Sequence, residues 1–92
     1  MNVLLADDHG LLLEGLKNLL TAHGINVVGL ARDGLQAIAL ARVLQPDVIL
    51  MDLRMPQCDG LEATRRITAE MPAAKVVVLT TSEDEQDLFE AV

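Results

Sequence analysis

Aromatic side chains are nearly absent from this sequence. They make up 1% of its 92 residues, and Phe89 is the only one. Sites that stack nucleic-acid bases or enclose cations in aromatic cages need several π faces, so both kinds of site are excluded. Basic side chains are also scarce, because 7 Lys and Arg stand against 14 Asp and Glu, for a net charge of −7. Phosphate backbones and anionic membranes repel such a chain, so we expect no direct nucleic-acid or membrane binding.

Cysteine and long apolar runs are lacking as well. Cys58 is alone, so no intrachain disulfide can form, and a cytoplasmic location is expected. The longest stretch without a charged side chain, residues 18–31, contains His23 and is shorter than the roughly 18–20 apolar residues that span a bilayer. Asp7 and Asp8 interrupt the N-terminal apolar run, and no basic residue precedes it. The sequence therefore predicts neither a membrane helix nor a secretory signal.

Apolar residues, at 51% of the chain, suffice for one core, and we predict one domain over 1–92. Short apolar runs alternate with segments of helical spacing. The runs Val-Ile-Leu-Met and Val-Val-Val-Leu show no polar alternation, which is typical of strands buried on both faces of a parallel sheet. The predicted class is therefore α/β, with strands at 3–6, 25–31, 48–53 and 75–80, helices at 12–20, 34–44 and 60–70, and a further helix opening near Glu83.

Acidic side chains follow two of the predicted strands. Asp7 and Asp8 come after the first strand, and Asp52 ends the third. Ligands bind open parallel sheets at the carboxyl ends of the strands, where the strand order reverses. If the order is 2-1-3-4, right-handed crossovers place the first helix on one face and the next two on the other, and the three carboxylates converge between strands one and three. Carboxylates so close repel each other unless a cation lies among them, and their hard oxygen atoms suit Mg²⁺.

Taken alone, these residues have simpler explanations. Asp7 and Asp8 could equally well cap the helix that follows them, because Asp is a common N-cap. Asp52 cannot be explained as an N-cap, since the next helix begins only near Gly60. Thr80 ends the fourth strand at the same edge, and a lone hydroxyl there is more often structural than functional. The combination of the four polar residues is what indicates a site.

Three segments resemble the receiver domain of two-component response regulators: residues 4–9 (LLADDH), 46–60 (PDVILMDLRMPQCDG) and 76–80 (VVVLT). The resemblance extends over the whole chain. Residues 29–34 (GLARDG) and 62–64 (EAT) further resemble the NarL/LuxR type, whose members usually carry a helix-turn-helix DNA-binding domain after the receiver. The resemblance implies a flavodoxin-like parallel sheet of order 2-1-3-4 and an output, such as transcription, that lies outside this chain.

The resemblance also implies a phosphoacceptor site. Asp52 would take a phosphoryl group from the phosphohistidine of a sensor histidine kinase. Asp8, Asp52 and the backbone carbonyl of Arg54 would ligate Mg²⁺, with Asp7 acting through water. Thr80 would bind the new phosphoryl oxygens, so that phosphorylation switches the conformation. A receiver is not otherwise an enzyme, since it promotes only its own phosphorylation and dephosphorylation.

Neighbouring residues have structural assignments. Pro56 and Gly60 suit the turn into the third helix, and Asp59 suits the cap of that helix. Thr81 occupies a position where receivers more often have a smaller residue, which would slow access to the phosphorylation site. We do not predict His9 as a ligand, because imidazole is seldom chosen for Mg²⁺.

The sequence departs from the receiver pattern at its end. It stops at Val92, before the family's fifth strand with its phosphoryl-binding lysine and before the fifth helix, so we expect an incomplete receiver. Lys17 and Lys75 lie elsewhere and cannot replace that lysine. The first helix would be alone on its face, and the strand at 75–80 would be an uncovered apolar edge. We therefore expect self-association or strand exchange through these surfaces.

Other functions remain open at this point. A non-phosphorylatable interaction or dimerisation fragment, unable to switch without the lysine, is the main alternative. A flavodoxin that binds FMN is disfavoured, because the loops are acidic where a phosphate cradle needs Gly, Ser or Thr. A Mg²⁺-dependent phosphohydrolase would need a general acid and a lid, neither of which the sequence supplies.

Overall fold

The computed structural model describes residues 1–53, 55 and 59–79, in which strands and helices alternate. The predicted class is confirmed, and the bounds of the second and third helices agree with the prediction. The predicted helix near Glu83 lies outside the described residues, as do Arg54, Pro56, Thr80 and Thr81. The strands are β1 (Asn2–Ala6), β2 (Asn26–Ala31), β3 (Val48–Asp52) and β4 (Lys75–Leu79), and the helices are α1 (Gly10–Ala22), α2 (Gly34–Leu44) and α3 (Gly60–Glu70).

The strands form one parallel sheet of order β2-β1-β3-β4. This is the predicted order, and it reverses between β1 and β3, so that β1 and β3 are the inner strands of the sheet. Ala6 of β1 is paired with Ala31 of β2 on one side and with Met51 of β3 on the other. The three chain segments that follow these residues therefore emerge side by side at the carboxyl edge.

Each face of the sheet has its own apolar cluster. On the α1 face, Leu13 packs with Val3 and Leu5 of β1. On the opposite face, α2 and α3 cover a cluster that includes Leu4 and Ile49. Alternate residues of β1 thus enter different clusters, which explains why its sequence shows no polar alternation. The predicted distribution of the helices over the two faces is confirmed.

Local side-chain contacts define the helix ends. Asp33 caps α2 by accepting a hydrogen bond from the backbone N–H of Gln36 at 2.7 Å. Asp59 caps α3 in the same way, as predicted, with the backbone N–H of Glu62 at 2.8 Å. Beyond α1 the chain turns at Gly24, whose φ of 78° is a left-handed conformation that glycine adopts without strain. None of the described helices is long and apolar enough to cross a bilayer.

Candidate functional site

The acidic residues that the sequence singles out meet at the carboxyl edge of β1 and β3. Asp7 and Asp8 follow β1 directly, and Asp52 is the last residue of β3. One carboxylate oxygen from each of them, together with a ring nitrogen of His9, lies within 4.8 Å of the others. We call these four residues the acidic cluster. The strand order thus brings together side chains that are 45 residues apart in sequence.

The members of the acidic cluster differ in burial. Asp7 is 6% exposed and Asp52 is 2% exposed, whereas the side chain of Asp8 is 35% exposed. Removing two neighbouring carboxylates from water is costly unless positive charge or hydrogen-bond donors compensate. A cleft with two buried carboxylates and one exposed to solvent is therefore suited to hold a cation that enters from the side of Asp8.

Asp7 and Asp8 do not cap α1. The N-cap residue of α1 is His9, and its side chain makes no capping hydrogen bond. Asp7 Oδ1 instead accepts a hydrogen bond from the backbone N–H of His9 at 2.8 Å, which tightens the loop before the helix. The capping explanation that the sequence left open is therefore wrong for both aspartates.

His9 belongs to the cluster, although the sequence reasoning gave it no role there. Its Nδ1 lies 2.8 Å from Oδ1 of Asp7 and 3.0 Å from Oδ1 of Asp8. The hydrogen bond to Asp7, and secondly the charge of Asp8, raise the pKa of His9 above its ordinary value of 6.5. The position of His9 in the same short loop as the two aspartates is a sequence signal that could have indicated this contact.

Gly60 fixes the end of β3 against α3. Its backbone N–H donates to the carbonyl oxygen of Leu53 at 2.9 Å, and a Cβ atom at this position would overlap the carbonyl oxygen of Asp52. Only glycine permits so close an approach of two backbone segments. The structural role predicted for Gly60 thus includes holding the backbone of Asp52.

The donor set of the acidic cluster fits Mg²⁺. Asp7, Asp8 and Asp52 supply hard carboxylate oxygens, and Mg²⁺ is usually bound by one or two carboxylates with several of its waters retained. The partial exposure of Asp8 leaves room for such waters. The imidazole of His9 is the one poorly matched donor, since Mg²⁺ prefers oxygen.

Comparison with known proteins settles the family. A family model described as the response regulator receiver domain matches residues 3–92. The chain belongs to this family. The sequence resemblance is thereby confirmed, and the acidic cluster lies at the strand edge where the resemblance places a receiver's phosphorylation site.

The relatives of this receiver domain include transcriptional regulators. The transcriptional regulatory protein YxjL of Bacillus subtilis is 44% identical over 93 residues, which cover 100% of this chain and 43% of that protein. The receiver domain thus spans less than half the length of this curated relative.

Solved structures are similar to it as well, among them the following two. The signal receiver domain of the putative response regulator NarL from Mycobacterium tuberculosis is 33% identical with a TM-score of 0.87, over 98% of this chain and 73% of that one. The CheX–CheY complex with BeF₃ and Mg²⁺ from Borrelia burgdorferi gives 26% identity and a TM-score of 0.87, over 99% of this chain and 69% of that one. Both similarities confirm the receiver fold, and the similarity to NarL confirms the NarL/LuxR type.

Proposed function

We propose that this receiver domain accepts a phosphoryl group on Asp52 from a sensor histidine kinase and thereby controls transcription through an output outside this chain. The observation that carries the proposal is the position of Asp52. It is 2% exposed at the end of an inner strand, with carboxylate oxygens of Asp7 and Asp8 within 4.8 Å. A buried carboxylate nucleophile beside further carboxylates suits phosphoryl transfer, because that reaction depends on a cation to neutralise the charge of the phosphoryl group.

The proposed reaction is a phosphoryl transfer between side chains. A carboxylate oxygen of Asp52 forms a bond to phosphorus while the P–N bond of the phosphohistidine breaks. The imidazole leaves with the electron pair of that bond and takes up a proton. The β3 ladder and the contact with Gly60 hold the backbone of Asp52 in place during the transfer. The chain would promote only its own phosphorylation and dephosphorylation.

Asp7, Asp8 and Asp52 are the described residues that would hold Mg²⁺. When bound, the ion supplies positive charge to the phosphoryl oxygens. His9 keeps Asp7 in position through both its backbone N–H and its ring. We further propose the backbone carbonyl of Arg54 as a ligand and Thr80 as the hydroxyl that binds the phosphoryl group, although both lie outside the described residues.

Known relatives support the output and the cofactor that we propose. YxjL is named a transcriptional regulatory protein, and the CheY complex contains BeF₃ and Mg²⁺. By analogy we assign this receiver Mg²⁺ as its cofactor and a DNA-binding partner domain as its output. We assign the reaction to the cytoplasm, since the lone Cys58 gives no sign of an oxidising compartment.

Intact-mass analysis after incubation with acetyl phosphate and Mg²⁺ tests the proposal. We expect one added phosphoryl group on the wild-type chain and none on Asp52→Asn. Asp47→Asn is the matched control, because Asp47 precedes the same strand at its opposite end, where its Oδ2 accepts a hydrogen bond from Asn2. An adduct on Asp52→Asn would place the acceptor elsewhere, and no adduct on the wild type would contradict the proposed function.

The second candidate function is an interaction fragment that cannot be phosphorylated. It is favoured by apolar side chains exposed to solvent: Leu11 is 90% exposed, Leu19 is 55% exposed and Val77 is 44% exposed. Val77 is paired with Leu50, so it faces the α1 side of the sheet. In either function we propose that copies of the chain associate through the face of α1 and the edge strand β4.

A further inference from the structure

Arg32 lies beside the acidic cluster, although neither the receiver resemblance nor the proposed reaction assigns it a role there. It follows Ala31, the last residue of β2, whose carbonyl oxygen accepts a hydrogen bond from the backbone N–H of Asp7 at 2.9 Å. Ala31 is buried in the cluster under α2. Because side chains alternate along a strand, the side chain of Arg32 is directed to the other face, towards the start of α1.

The guanidinium of Arg32 rests on Gly10, the first residue of α1. A Cβ atom on Gly10 would lie 2.8 Å from Nη2, 3.2 Å from Cζ and 3.3 Å from Nη1 of Arg32. The whole head group therefore covers the site where a side chain would otherwise stand. Gly10 adjoins His9, whose ring contacts Asp7 and Asp8. The charge of Arg32 is thus held at the rim of the acidic cluster.

Arg32 is also available to a ligand. Its side chain is exposed and makes no ion pair or hydrogen bond within the part of the chain that the structure describes. Its backbone is fixed, since its N–H donates to Oε1 of Gln36 at 2.7 Å. The guanidinium is therefore an exposed group of fixed charge, carried on an anchored backbone.

The other lysine and arginine side chains in the described ranges are not available at the carboxyl edge of the sheet. Arg42 is bound to Glu70 at 2.8 Å. Lys75 begins β4 and so lies at the opposite edge of the sheet. The remaining lysine and arginine side chains lie on helices. Lys17 is on α1, and Arg65 and Arg66 on α3 are both paired with Glu62.

We propose that Arg32 is a positioning residue that binds the anionic phosphoryl group of the phosphodonor at the rim of the acidic cluster. This inference rests on the proposed function. Three carboxylates repel a phosphodonor anion, and a guanidinium offers positive charge and parallel N–H donors that match phosphoryl oxygens. The same charge repels Mg²⁺ from the cluster. Removing the charge of Arg32 must therefore slow phosphorylation by the donor and strengthen the binding of Mg²⁺.

Arg32→Gln separates these two effects. We expect the rate of phosphorylation by acetyl phosphate, below saturation and at saturating Mg²⁺, to fall by about three- to tenfold. We expect Mg²⁺ affinity, measured by calorimetry without any phosphodonor, to rise by about twofold. The kinetic difference from wild type shrinks when the ionic strength is raised to about 0.5 M, where the Debye length is only a few ångströms. Arg32→Lys keeps the charge but lacks the parallel N–H donors, so it retains only part of the rate.

Lys17→Gln is the matched control. It removes one positive charge from the same side of the sheet, two turns along α1, and leaves both the rate and the Mg²⁺ affinity unchanged. If Arg32→Gln behaves like this control, the inference is wrong while the proposed function stands. If Arg32→Gln loses rate and Mg²⁺ affinity together, the role is structural and the inference is again wrong. A wild-type chain that acquires no phosphoryl group overturns the proposed function and the role of Arg32 with it.

Discussion

Single residues at the carboxyl edge differ sharply in how much change they tolerate, and its glycines show this best. A methyl group at Gly60 would overlap the backbone of Asp52, which cannot move without distorting β3. At Gly10 the obstacle is the end of the flexible side chain of Arg32. The same substitution therefore strains the fold at one position and displaces a charge at the other.

Gly60→Ala is expected to destabilise the domain by about 2–3 kcal/mol, because the added carbon overpacks two backbone segments. Gly15→Ala is the matched control. It lies within α1, and apart from the backbone of its own helix no described residue would come within 4 Å of its added Cβ, so we expect a gain of about 0.5–1 kcal/mol from helix propensity. Urea unfolding followed by circular dichroism measures both. Equal stability of the two variants would show that the contact at Gly60 relaxes without cost.

At the scale of residues, the site could be predicted from the sequence where a residue's type and its position at a strand end indicated the same role. Asp7, Asp8 and Asp52 were predicted to converge because strand ends share an edge, and they do so. The ring of His9 was not assigned to the cluster, since its contacts depend on how the loop folds back on Asp7. Arg32 was missed for a similar reason, because nothing local in sequence brings it to Gly10.

At the scale of elements, helix starts depend on single side chains. Asp33→Ala should cost about 1 kcal/mol, because it leaves the backbone N–H of Gln36 without its acceptor at the first turn of α2. Asp33→Ser should retain most of the stability, since a hydroxyl oxygen can accept the same hydrogen bond. Thermal or urea unfolding distinguishes the variants. If both lose the same amount, stability depends on the charge of Asp33 rather than on capping.

Element bounds were predictable where caps and breakers mark them. Asp33 and Gly34 define the start of α2, and Gly60 follows the capping Asp59. Pro46 marks the end of α2, but the capping residue before it is unusual, because Gln45 adopts a left-handed φ of 48° that usually belongs to glycine or asparagine. Its side chain compensates by donating to the carbonyl oxygen of Arg42 at 2.9 Å. Such a compensation cannot be read from residue type.

At the scale of the whole molecule, the described helices cover the two faces of the sheet unequally. α1 packs over β1 and β2, while α2 and α3 share the other face. The right-handed crossover from β1 to β2 places β2 beyond one flank of α1, and helical geometry puts Leu12 and Leu19 on the other flank, towards β3. Leu12 is 39% exposed and Leu19 is 55% exposed. This arrangement followed from the strand order, which the resemblance to receiver domains implied.

We expect the chain to self-associate at high concentration through this surface. Leu19→Gln should weaken the association, because it removes apolar area from the exposed flank of α1. Leu61→Gln is the matched control, since Leu61 is 62% exposed on α3 at the opposite face. Sedimentation equilibrium over a concentration series measures both. A compact monomer for the wild type at high concentration would contradict the expectation.

The inner position of β3 determines how long the geometry around Asp52 persists before it opens. Asp52 belongs to a strand that is hydrogen-bonded to neighbours on both sides, and its carbonyl group is covered by Gly60. Because local opening of such a strand would break hydrogen bonds on both of its sides, we expect its amides to exchange with solvent chiefly when the whole sheet unfolds. The lifetime of the acceptor geometry is then the lifetime of the folded state. Mutations far from the acidic cluster shorten it only as far as they speed global unfolding.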